Sequence, residues 1–134
     1  MRRIASGALA ALAVLGLAGT AEARRANPEE QLAKILKGRV AGPAEDCIYL
    51  PSIRSSRIVD RTAIVYDAGR VLWVNRPESG ASSLDDDAVM VTKTHNSQLC
   101  SIDVVRLHDR SQHSYRGFVG LAKFVPYRKA GAVD

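Results

Sequence analysis

The sequence predicts a mainly β protein: a compact antiparallel sheet, forming a small barrel or sandwich, with one short N-terminal helix after a signal peptide. Three observations predict it. Six short β-type runs separated by turn residues follow Pro43, a single capped helical stretch precedes it, and two cysteines stand far apart behind a leader of export type.

Residues 1–23 read as the signal peptide. Met1-Arg2-Arg3 is the positive n-region, and residues 4–19 form an uncharged run broken only by Ser6. Ala21-Glu22-Ala23 then offers small residues at both cleavage positions, which makes Arg24 the expected mature N-terminus. The run is short and rich in Ala and Gly, and no later segment approaches the ~20 apolar residues of a membrane span. An uncleaved anchor is the alternative reading. The expected location is periplasmic or secreted, with no membrane span in the mature chain.

Residues 24–43 are expected to form a helix or arm. Asn27 suits an N-cap, Pro28 the first helical position, and Glu30 a capping-box-like place three residues on. Leu32, Ile35 and Leu36 share a face, Lys34 and Lys37 lie near the C-terminal end, and Gly38 is a natural stop. So short a helix must dock to be stable.

Residues 44–128 are expected to be the β-rich domain, followed by a tail at 129–134. Asp46-Cys47-Ile48-Tyr49-Leu50 is the first run and ends at Pro51. Residues 57–66 read as one strand, with Ile58, Thr62, Ile64 and Tyr66 on one face and Val59, Ala63 and Val65 on the other. Asp67-Ala68-Gly69 turns the chain into a strand at 70–75, the clearest hairpin in the sequence. A polar loop at 76–87 leads to a short strand at 88–92. Residues 99–108 read as a strand with Cys100, Ile102 and Val104 on one side, and 109–116 as a polar excursion. Residues 118–125 close the set before Pro126.

Composition narrows the function. The net charge is +5, and losing Arg2, Arg3 and Glu22 with the signal makes it +4. In an exported protein such a bias points to an anionic envelope component, such as lipid headgroups or acidic polysaccharide, or to another, acidic exported protein. Aromatics are 5% of the chain, too few to interleave with clustered basic residues, so no nucleic-acid partner is expected. Cys47 and Cys100 are the only cysteines, and in an oxidising compartment they have one possible pairing. A redox role would want Cys-x-x-Cys, which is absent.

Catalytic motifs are lacking. His95, His108 and His113 have no spacing that aims two rings at one point, and Asp85-Asp86-Asp87 is a bare run without the alternation of a calcium loop. No metal or cofactor is expected. There is no Gly-x-Ser-x-Gly elbow, and no catalytic residue is assigned. Arg54, Arg57, Arg61 and Arg70 form the densest basic set, with Arg57 and Arg61 expected on one strand face. They form either an open basic binding patch or cross-strand ion pairs with Asp60, Asp67 and Asp103. The expected role is a binding or structural module at the cell envelope. The alternatives are an inhibitor of an exported hydrolase, presenting loop 76–87 or 109–116, and an enzyme whose site assembles only in three dimensions.

A set of segments in fixed order resembles a domain family of unknown function among small exported proteins of proteobacteria. They are Cys47-Ile48, Ser52-Ile53-Arg54, Arg57-Ile58-Val59-Asp60, Thr62-Ala63-Ile64, Leu99-Cys100-Ser101-Ile102-Asp103 and Gly120-Leu121-Ala122-Lys123-Phe124-Val125-Pro126. Members often carry a second cysteine pair, in the central loop and just before the Gly-Leu segment. Val119 stands at the latter place here and loop 76–87 has no cysteine, so the resemblance implies that Cys47–Cys100 is the retained bridge. It implies a compartment, a disulfide and a β fold, and carries no activity.

Overall fold

The computed structural model describes Gly16 and residues 27–131. The expected cleavage residues Ala21, Ala23 and Arg24 lie outside the described residues. Helix α1 (Pro28–Ile35) is capped by Asn27, whose Oδ1 accepts the Glu29 N–H at 3.0 Å. Ten strands follow: β1 (Arg39–Ala41), β2 (Cys47–Tyr49), β3 (Ser55–Val59), β4 (Ala63–Asp67), β5 (Val71–Asn75), β6 (Ala88–Thr92), β7 (Gln98–Cys100), β8 (Val104–Asp109), β9 (Tyr115–Gly120) and β10 (Phe124–Lys129). All their pairings are antiparallel. They form a five-stranded sheet in the order β1-β10-β5-β4-β3, a three-stranded sheet β6-β8-β9 and a two-stranded ribbon β2-β7.

The five-stranded sheet is apolar on both faces because it is covered on both. Ile58, Ile64, Tyr66 and Phe124 meet Val105, Leu107 and Val119 of the three-stranded sheet and Ile48 and Leu99 of the ribbon. Val59, Ala63, Val65, Leu72 and Val74 point the other way, against Leu32, Ile35 and Leu36 of α1 and its exit. The arrangement is a sandwich with a helix on its outer face. Among the described residues no helix is long and apolar enough to cross a membrane.

Three runs that read as single strands are each broken in the structure. The run 57–66 is a hairpin: Asp60-Arg61-Thr62 forms the turn, with Arg61 at φ 52° and the Thr62 N–H bonded to Val59 O at 3.0 Å. Arg61 therefore leaves the strand and does not share a strand face with Arg57. The run 99–108 breaks at Ser101-Ile102. Asp103 Oδ2 accepts the Cys100 N–H at 2.7 Å while its own N–H donates to Cys100 O at 2.9 Å, closing the turn. Ile102, expected on a sheet face with Cys100 and Val104, sits instead at the turn tip, 89% exposed.

The run 118–125 divides between β9 and β10, and Pro126 lies inside β10 rather than beyond its end. Pro126 O accepts the Gly42 N–H at 2.7 Å, so its missing N–H faces the side where β1 has just ended. Asn75 holds the break between β9 and β10. Its Nδ2 donates to Ala122 O at 2.7 Å and its Oδ1 accepts the Ala122 N–H at 3.1 Å. Loop 76–87 is tied back to β9 by Gly120, whose N–H donates to Ser79 O at 3.0 Å. Gly80, at φ 75°, passes so close to the Phe118 carbonyl that a Cβ there would collide with it.

The disulfide is present: Cys47 and Cys100 face each other directly across β2 and β7, with Cα atoms 4.0 Å apart. Residues 39–41, expected within the N-terminal arm, supply edge strand β1 of the main sheet.

Candidate anion-binding rim

Register collects basic residues at one end of the five-stranded sheet. Arg39 pairs with Lys129, Arg128 with Val71, Leu72 with Asp67, and Asp67 with Ser55. Arg39, Arg54, Arg70 and Lys129 therefore border a single edge, although 75 positions separate Arg54 from Lys129 in the chain, while Arg128 turns its guanidinium back over Gly42. Arg39 Nη1 reaches across β10 to Tyr127 O and Arg70 O, both at 3.2 Å. The Arg54 guanidinium lies over Gly69, in the turn between β4 and β5.

The helix extends this rim. Its N-terminal Glu29 pairs with Arg76 at 2.8 Å beyond the far end of β5, while its exit runs straight into Arg39. Lys34 and Lys37 thus lie toward the basic end. The strand ends that form the rim carry one carboxylate, Asp67, whose Oδ1 accepts the Gly69 N–H at 2.7 Å.

The four arginines singled out in the sequence do not stay together. Arg54 and Arg70 border the rim. Arg57 lies at the middle of β3 and lines a cleft of about 630 Å³ with Gln31, Val89, Asp86 and Arg110. Arg61 is in the β3–β4 turn at the opposite end, one strand length away, roughly 17 Å at about 3.4 Å per residue. The carboxylates expected as their partners are used elsewhere: Asp60 accepts the Asp86 N–H, Asp67 that of Gly69 and Asp103 that of Cys100, each at 2.7 Å. Among the described residues none of the four arginines is ion-paired. The ion pairs that do form involve Arg76, Arg110, Arg116 and Lys123 at exposed positions, where each contributes little.

Of the acidic run 85–87, Asp85 and Asp86 gather with Asp60, their oxygens within 4.8 Å of one another, and no histidine joins them. The Asp60 charge, foremost, pushes the Asp86 carboxyl up, whereas the Asp87 N–H and then Arg116 pull Asp85 down. Arg116 Nη2 stands 3.1 Å from Asp85, so the cluster carries its own cation. His95 is exposed, and His108 spends its contacts on His113 O, 3.3 Å from Nδ1, and on the edge of Tyr115.

Asp109 caps the turn between β8 and β9. It accepts the Ser111 Oγ–H at 2.6 Å and the N–H groups of Ser111 and Gln112 at 2.8 and 2.9 Å, and these bonds, the hydroxyl first, hold its carboxyl down to about 2. A lowered folded pKa stabilises the turn above the ordinary value of 3.8, and that stabilisation is lost as pH falls through about 2. Amide exchange at Ser111 and Gln112 should accelerate between about pH 4 and pH 2, relative to other turns, and Asp109→Asn should remove that dependence. Unchanged protection across the interval would count against the cap.

Sequence reasoning missed Arg39 and Lys129 because nothing local marks strand ends as neighbours. The available signal was their place beside short β runs. Comparison of the chain with models of protein families, with curated proteins and with solved structures finds no match.

Proposed function

We propose that the chain is an exported, disulfide-stapled binding module that attaches to an anionic component of the cell envelope through the basic rim. The observation that carries this reading is the convergence of Arg39, Arg54, Arg70 and Lys129 on one sheet end whose strand termini hold only Asp67 as a carboxylate. Guanidinium forks suit phosphate and carboxylate oxygens, and several on one edge act together where a single exposed arginine does little. The leader and the disulfide support an oxidising compartment outside the cytoplasm.

The test is co-sedimentation with anionic vesicles and, separately, with peptidoglycan or acidic polysaccharide. Arg54→Ala with Arg70→Ala should weaken retention about tenfold, and salt should weaken the wild type because exposed charges are screened over ~8 Å. Arg57→Ala with Arg61→Ala should retain most of the binding, since those side chains lie off the rim. Equal retention of both variants and the wild type, without salt dependence, would overturn the reading.

A further inference from the structure

The outer face of the three-stranded sheet is a second surface, unrelated to the rim. Across β6, β8 and β9 its side chains fall into rows. Val89 pairs with His108 and His108 with Tyr115; Val91 pairs with Arg106 and Arg106 with Phe118. Each row reads valine, cationic or imidazole side chain, aromatic. The bulge between Leu107 and His108 keeps Tyr115 and Phe118 on the same face although they are three residues apart. Val89, Val91, Val104, Tyr115 and Phe118 are 36–56% exposed. Lys93 and Val104 complete a groove of about 720 Å³ in which no lining residue is acidic.

We propose that this face binds an extended acidic segment of a partner protein, laid along β8, with carboxylates at alternate residues so that all of them turn toward the sheet. Three features select that occupant. Arg106 and His108 are two residues apart on β8, so they repeat at about 6.8 Å, the spacing of alternate side chains on an extended chain. The valines on one flank and the aromatic rings on the other cover the methylene stems of those acidic side chains and the backbone between them. The cations Lys93 and Arg106 are not ion-paired among the described residues, so a carboxylate completes them rather than competing. A second copy of this chain fits poorly, because face-to-face stacking would set these cations against each other.

The test uses the mature protein and a fluorescent synthetic peptide of alternating glutamate and valine, read by anisotropy. A peptide of the same composition with its glutamates in one block is the comparison. The alternating peptide should bind about tenfold more tightly than the block peptide. Arg106→Ala and Phe118→Ala should each weaken it by about tenfold, a loss of about 1.4 kcal/mol. Arg54→Ala with Arg70→Ala should leave it unchanged, which separates failure of this proposal from failure of the rim. Both substituted side chains are exposed, so melting temperature and disulfide should be retained. Equal affinity for the two peptides, insensitivity to both variants, or self-association of the protein in place of peptide binding would overturn it.

Discussion

Asn75→Ala is expected to destabilise the fold by about 3 kcal/mol, a fall in melting temperature of roughly 10–20 °C. Asn75 is fully buried, and it is the only buried polar residue among those described. Its side chain copies the bonding of a backbone amide, donating to Ala122 O and accepting from Ala122 N–H. Alanine keeps the strand but strands both groups of Ala122 where a neighbouring chain does not reach them. Each lost partner costs about 1–3 kcal/mol when the group stays out of water. The damage should concentrate where β9 hands over to β10, beside Phe124, which is fully buried. Thermal unfolding of the variant alongside the wild type checks this, and a change below 1 kcal/mol would show that water replaces the amide there.

Replacing both cysteines by serine should cost a similar amount, about 4 kcal/mol in the chain-entropy account for a separation of 53 residues. The loss is large because the ribbon has little else to close it: β2 and β7 share three residue pairs and belong to neither larger sheet. Yet that ribbon delivers Ile48 and Leu99, both almost fully buried, to the common core. Without the bridge, these two side chains must be held by packing alone. Protease susceptibility near Cys47 and Cys100 should rise before the rest of the domain unfolds. Intact mass without reductant should be two hydrogens below the reduced mass, and native material with two alkylatable thiols would overturn the assignment. The same spectrum of exported material should begin at Arg24.

Much of the β pattern was legible because alternation is local. Alternation puts Ile58, Ile64 and Tyr66 on one face and Val59, Ala63 and Val65 on the other, and the two cores divide them in that way, whereas Thr62, expected with the first set, lies in the turn. The assignment survives even though the run is a hairpin rather than one strand. The register pairs Ile58 with Ile64 and Val59 with Ala63, so a three-residue turn preserves parity and the residues on either side of it keep their faces. The helix cap and the Asp67-Ala68-Gly69 turn were equally readable, since the bonds that make them span only two residues. Breaks at Asp60-Arg61-Thr62 and Ser101-Ile102 were not, because β-branched and apolar neighbours mask a polar turn in a periodicity count.

Local pattern alone settles the class of fold, the faces of β3 and β4, the capped helix α1 and the only possible disulfide. These follow from backbone propensity, side-chain alternation and the number of thiols, which need no distant partner. Tertiary structure decided the sandwich, the order β1-β10-β5-β4-β3 and therefore the company each charge keeps. Inserting β10 between β1 and β5 carries Lys129 to Arg39 and Arg70, while the turn after β3 sends Arg61 to the opposite end. Strand pairing acts between residues tens of positions apart and is chosen by how the whole core closes, so a surface built from strand ends comes into being only when the sheet does.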